Sequence, residues 1–433
     1  MKKISFVHIG CDSLICFLFL PVLLSAQVGF QNVQIPLASG SYTYSGCEPS
    51  IDIDPNNPNN IAVGSILDGY HYSDDSGKTW KAERLKSTYG VYGDPVLKFN
   101  GKGNVFYLHL ASYNKTTHLD RIVCQRADDL KAKFNEGSFS KPNGSKVQDK
   151  HWIVIWNPET NEIYMTWTQF DAYNSSNPED SSFIHFAKSS DDGETWTDPV
   201  RISIKGGDCL DGDDTVEGAM PALGKDGRLY VVWSGPHGLM LRSSADRGQT
   251  WNATEQMLFE HEGGWTIDVP DFYRSNGLPV FISDHNADSP HYGNLYLNWA
   301  IEDEETGRTS VLFSKSEDDG ESWSLPVQVH KDSSQYNHFL TWMTVDPSNG
   351  NLHFVYYRKS RNAKTTDVVW ASSKNGGASF NEEVISEQSF EPSGTVFFGD
   401  YLNIAAVDNV VRPVWPRMDN GKITLWTALI NFE

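Results

Sequence analysis

Seven short stretches of this chain place a charged, imidazole or phenolic group next to an apolar run of strand length. They are Cys47-Glu48-Pro49, Gly93-Asp94-Pro95, Asp149-Lys150-His151-Trp152, Glu217-Gly218-Ala219-Met220, Tyr273-Arg274-Ser275-Asn276, Asn337-His338 and Gly399-Asp400-Tyr401. Carboxylates crowded together raise one another's pKa, which is how a general acid is kept protonated at neutral pH. Glu48, Asp94, Glu217 and Asp400 therefore qualify as an acid–base set. His151 and Tyr401 offer a second chemistry, proton abstraction, with Arg274 and His338 available to hold a negative group. Arg358 and Arg417 stand in loops further along and extend the set of anion-binding candidates. Tyr70, His71, His118, Asp171 with Tyr173, and His237 are weaker loop candidates.

These stretches need elements that bring them to one place, and a repeat supplies those elements. The octapeptide Ser189-Ser190-Asp191-Asp192-Gly193-Glu194-Thr195-Trp196 returns at Ser73–Trp80, Ser244–Trp251 and Ser316–Trp323, and more loosely at Ser373–Phe380. Ser and Asp bond backbone amides in a tight turn, Gly supplies a positive φ, and Thr then Trp re-enter a strand. The repeat-to-repeat spacings are 116, 55, 72 and 57 residues. The first is about two ordinary units, and Ala127-Asp128-Asp129 is a degenerate copy within it. Each unit reads as an apolar strand, a turn, a second strand often ending in Trp, a loop, a third strand and then the octapeptide.

The octapeptide resembles the Asp-box, or BNR repeat, of sialidase-like β-propellers. The resemblance implies an all-β fold: a single β-propeller of four-stranded antiparallel blades spanning residues 27–433. After the sixth unit the chain holds three more strands, Leu402–Val407, Val411–Trp415 and Ile423–Leu429, and no octapeptide. A lone strand at residues 30–37 precedes the repeats and is expected to complete that last blade, which makes seven blades; six is the alternative if the last strands only cap the ring. In such a ring the innermost strands begin at one mouth of the central channel. The seven stretches above converge there, and the octapeptide turns lie at the opposite end.

Sialidases grip a carboxylate with three arginines, one in a Phe/Tyr-Arg-Ile-Pro motif. Here the first blade starts Cys47-Glu48-Pro49-Ser50, leaving Arg274, Arg358 and Arg417 as the arginines for an anion site. The expectation is a sialidase-like glycoside hydrolase acting on an acidic glycan at the mouth. A polysaccharide lyase using His151, His338, Tyr401 and Arg274 is the alternative, since ulvan-lyase propellers look similar in architecture. A binding propeller without catalysis is the third reading.

Lys2 and Lys3, the apolar run Leu14–Leu24 and Leu24-Ser25-Ala26 read as a secretory signal over residues 1–26, so the mature chain is expected to be secreted or periplasmic. A formal charge of −21 argues against nucleic acid and against an anionic membrane surface. No later stretch is long and apolar enough to insert into a bilayer. A carbohydrate partner and a monomer are expected. Cys47, Cys124 and Cys209 are odd in number and widely spaced, which suits buried thiols rather than a disulfide framework. No cofactor motif is present. The acidic run Asp208–Asp214 lacks the spacing of a calcium loop and reads as a solvated turn, with Ca2+ as the minor alternative.

Overall fold

In the computed structural model, residues 30–112, 119–156, 161–261, 263–331 and 334–432 are described. The signal segment at 1–26 and His118 lie outside them. The chain forms seven four-stranded antiparallel blades arranged as a β-propeller, with no helix among the described residues. Blade 1 runs outward from Ser50–Ile53 through Ile61–Ser65 and Gly69–Ser73 to Lys81–Arg84. The innermost strands of the next five blades are Val96–Phe99, Val147–Trp156, Glu217–Leu223, Val280–Ser283 and Tyr336–Val345.

Blade 7 is built from both ends of the described chain. Asn403–Val407 is innermost, Val410–Asp419 and Lys422–Asn431 follow, and Gln31–Ile35 is the outer strand. Gln31 pairs with Leu429 and Ile35 with Leu425, the closure expected from the three leftover strands. Ile35 is fully buried, so the strand contributes to the core as well as to the ladder. Closing a ring this way removes the edge that an open sheet would present.

The repeated octapeptides have one geometry. In Ser189–Trp196 the Ser189 hydroxyl donates to Asp191 at 2.8 Å and accepts from the Gly193 amide at 2.9 Å. Asp191 accepts from the Thr195 amide at 2.9 Å and the Thr195 hydroxyl at 2.6 Å. The same bonds recur at Ser73–Trp80, Ser244–Trp251 and Ser316–Trp323, and Asn375 replaces the Asp in the last copy.

These turns also join neighbouring blades. A Cβ on Gly377 would lie 2.2 Å from the Phe313 ring, and one on Gly248 would lie 2.4 Å from Phe186, each ring belonging to the preceding blade. Glycine is thus required for close approach as well as for its positive φ of 82° and 85° at these two positions. Trp196 reaches back to blade 2 and donates to the Ser138 hydroxyl at 2.8 Å. Its ring packs against the main core. Trp196→Ala should therefore cost about 3 kcal/mol, the lower end for a large aromatic because the ring is half-buried. Thermal denaturation measures this, and ligand binding by the folded fraction should be unchanged. A melting point equal to that of the parent would show that the seam does not depend on the ring.

Candidate active site at the channel mouth

Five of the seven innermost strands carry a left-handed residue just before or within their first half: Glu48 (φ 48°), Asp94 (50°), Lys150 (49°), Gly218 (71°) and Leu340 (46°). In blades 3, 4 and 6 a β-bulge follows, where the pairing skips between Asp149 and Trp152, Glu217 and Met220, and Phe339 and Trp342. A bulge re-aims the side chains on either side of it. A left-handed non-glycine residue costs roughly 1–3 kcal/mol each, so this backbone is held by its surroundings.

The result is a cluster of six carboxylates, Glu48, Asp94, Asp149, Asp211, Glu217 and Asp400, around two cations, Lys150 and Arg274. Lys150 Nζ lies 2.6 Å from Asp400 Oδ2. Arg274 makes a two-pronged contact with the same carboxylate, through Nε at 2.6 Å to Oδ1 and through its second nitrogen to Oδ2. Arg274 also reaches Asp211 at 3.4 Å, and Tyr173 donates to Asp211 at 2.6 Å. The Asp400 amide donates to Glu48 at 3.3 Å, and Asn276 donates to the Asp400 carbonyl at 2.8 Å.

Electrostatics separates these carboxylates. Burial would raise Asp400, but Lys150 and Arg274 outweigh it and hold the carboxyl below its usual range. Burial pushes Asp149 up to about 8, helped by Asp94 beside it. Asp94 is itself raised, chiefly by burial, and stands beside Asp149. Glu48 is raised by burial and by Asp94 and Asp400, and Glu217 by burial. Lys150 would be lowered by burial, yet Asp400, Glu217, Asp149 and Asp94 keep it well above its ordinary value. Both Glu217 oxygens, one Asp94 oxygen and the Tyr401 hydroxyl are buried without a hydrogen-bond partner. Each of these unsatisfied buried atoms is one that a bound ligand or water could satisfy.

An aromatic floor lies beneath the cluster. Trp152 and Trp342 meet at 4.6 Å between ring centroids, and Tyr401 lies 5.3 Å from Trp152 and 5.9 Å from Trp342. A cavity of about 30 Å3 above this trio is lined by Lys150, Asn276, Asp400 and Tyr401. Below it, a cavity of about 300 Å3 is lined by the innermost strands of all seven blades, with Ile51, Val96, Met220, Phe281 and Ile404 among its walls.

Of the residues expected from sequence, Glu48, Asp94, Glu217, Asp400, Tyr401 and Arg274 come together. His151 does not. The bulge turns Lys150 into the mouth and sends His151 into the interior, 1 % exposed, where burial and neighbouring His109 push its pKa down to about 3. His338 is likewise buried, stacked on His330 at 3.8 Å, with its pKa lowered to about 2 by burial, His330, Arg358 and Arg308; Leu340 takes the mouth position in its blade. Arg358 is bonded to Asp367 at 2.9 Å. Arg417 is bonded to Asp419 at 2.8 Å and lies 3.7 Å over Trp426. Neither joins the cluster.

Sequence reasoning missed Lys150, Asp149 and Asp211 as members, and had Tyr173 only among its weaker loop candidates. The signal for the first two was an Asp-Lys pair directly before the strand, one residue earlier than the histidine. Asp211 belongs to the acidic run, whose carboxylates face different partners. Asp208 accepts from Thr215, Asp211 from Tyr173, and Asp213 from the Thr266 amide. Among the described residues no group of three or more His, Cys, Asp or Glu is arranged to hold a metal ion. Arg274 is delivered by a two-stranded flap, Thr266–Ile267 paired with Ser275–Asn276, outside the seven blades.

No family model matches the chain, and no curated protein matches it in sequence. Solved structures do match in fold. A polysaccharide lyase, an ulvan lyase bound to -[GlcA(1-4)Rha3S]-, superposes with a TM-score of 0.51 at 14 % identity, covering 93 % of this chain and 96 % of that one. A Hadza microbial sialidase gives a TM-score of 0.45 at 14 % identity, covering 86 % of this chain and 75 % of that one. A sialidase from Trypanosoma rangeli gives 0.43 at 13 % identity, covering 82 % of this chain and 56 % of that one. At 14 % identity the likeness to the ulvan lyase is one of fold alone.

Proposed function

We propose that this chain is an exported glycoside hydrolase whose active site is the channel mouth. The observation that carries the reading is a carboxyl kept protonated by burial and by Asp94 beside it, Asp149, near an ionised carboxylate, Asp400, fixed by Lys150 and Arg274. Paired carboxyl groups whose environments push their pKa values apart are the apparatus of glycosidic cleavage. In this reading Asp149 delivers a proton to the leaving oxygen, and Asp94 beside it helps to keep that carboxyl protonated. Asp400 is a positioning residue that keeps both cations in place. Glu48 and Glu217, raised by burial, fill the floor in their neutral form. The signal-like segment at 1–26 supports a secreted or periplasmic setting.

Elimination by a histidine–tyrosine pair has less support, because His151 and His338 are buried away from the mouth. The test is a screen of neutral and acidic glycans read both by reducing ends and by absorbance of unsaturated uronate. Reducing ends without the absorbance support hydrolysis; the absorbance would establish elimination, and binding without either signal would leave a lectin.

The same pair sets a pH dependence. Asp149 binds its proton more tightly when folded than when unfolded, so its contribution to stability is full below about pH 4, the unfolded value. That contribution declines as pH rises and is gone above about 8. Activity should fall on the alkaline side through the same region as the acid loses its proton. A kcat/KM profile flat from pH 6 to 10 would remove Asp149 from the role.

A further inference from the structure

Two features of the mouth lie outside the acid–base apparatus: what its cations are doing, and what surrounds it. The only positive groups reaching the six carboxylates are Lys150 and Arg274 among the described residues, and both are bonded to the same partner, Asp400. Arg274 shares its remaining edge with Asp211. An incoming carboxylate or sulfate would have to displace Asp400 from Arg274 and then sit against Asp211 and Asp94. Placing like charges together in a binding site costs several kcal/mol. A saccharide hydroxyl or amine, by contrast, finds acceptors in Asp94 and Asp211, the two members of the cluster that are only partly buried.

The rim is aromatic. Tyr273, 55 % exposed, precedes Arg274 and meets Phe397 edge-on at 6.1 Å. The Arg274 guanidinium lies 5.2 Å over the same Phe397 ring. Tyr92, 41 % exposed, stands two residues before Asp94, and Tyr44, 36 % exposed, three residues before Cys47, whose thiol contacts the Phe397 carbonyl. Exposed tyrosine rings of this kind offer faces on which the apolar faces of pyranose rings can stack.

We infer that the substrate is an uncharged or amino-bearing oligosaccharide that stacks on Tyr273 and its neighbours at the rim, not a uronate or sialate. This rests on the mouth being the site of the proposed hydrolase, and it replaces the acidic glycan expected from Arg274, Arg358 and Arg417. The latter two arginines, on the second strands of their blades, are committed to Asp367 and Asp419.

Isothermal titration of the full mature chain with three sets of short oligosaccharides tests it. The neutral set is cello-, manno-, xylo- and N-acetylglucosamine oligomers, the cationic set is glucosamine oligomers, and the anionic set is galacturonate and sialyl oligomers. The expected result is a neutral or cationic ligand bound at least tenfold more tightly than any anionic one, with Tyr273→Ala weakening it tenfold or more. An anionic oligomer bound best overturns the inference, as does the absence of binding across all three sets. If a neutral oligomer is bound but never cleaved, hydrolysis fails and the substrate class stands. If a sialyl or uronate oligomer is cleaved to new reducing ends, hydrolysis stands and the substrate class fails.

Discussion

Asp149→Asn should lower turnover of the cleaved glycan by roughly 100- to 10,000-fold, the range lost when a general acid is removed. The substitution keeps the shape of the side chain and a hydrogen-bond donor toward Asp94. Asp149 is the member of the pair that burial and Asp94 push to about 8, so at pH 7 the parent already holds a neutral group there. Asparagine imitates that neutral form, and the folded state should lose little. Above pH 8 the variant should melt higher than the parent, because only the parent must then carry an additional buried anion. The measurements are kcat on the substrate found in the screen and melting temperature at pH 5, 7 and 9. Unchanged kcat would remove Asp149 from the chemistry. A melting point lowered at every pH would make its role structural.

The second large effect concerns the ion pair that organises the mouth. Asp400 is 5 % exposed, and its two cation partners depend on it. Asp400→Asn keeps the shape but removes the charge, leaving Lys150, 7 % exposed, without its nearest anion. Breaking a buried pair from one side typically costs about 3–5 kcal/mol, because the remaining charge stays out of water. Lys150→Met alone should cost less, since Asp400 retains Arg274. In the double variant, Asp400→Asn with Lys150→Met, much of the loss should be recovered, because no uncompensated ammonium remains. Denaturant unfolding of the four proteins gives the coupling directly. A coupling below about 0.5 kcal/mol would mean that water reaches Lys150 freely and that the cluster is a solvated surface.

The architecture of this protein was legible in its sequence because its signals are local. Each octapeptide closes its own turn with a hydroxyl, a carboxylate and a glycine four residues apart, so it announces itself wherever it stands. Strand alternation and box spacing then count the blades, and a leftover strand at 30–37 matches the incomplete blade at the other end. The ring, in turn, dictated that seven strand starts would converge. Glu48, Asp94, Glu217 and Asp400 could be named on that ground alone, whereas Arg274 arrives on a flap outside the blades.

What the sequence could not determine is which side chain at each start faces the axis. Strand alternation places every second residue on one face, and a single bulge reverses that assignment for everything before it. In blade 3 the left-handed Lys150 and the skipped pairing after Asp149 exchange lysine for histidine at the mouth. In blade 6 the same device offers Leu340 and withdraws His338. Asp211 and Tyr173 enter from loops of blades 3 and 4, whose paths no periodicity records. Charge state was equally out of reach. Whether a carboxyl is an acid or an anion here depends on how deeply it is buried and on which cation lies within 3 Å of it, and both are properties of the assembled ring.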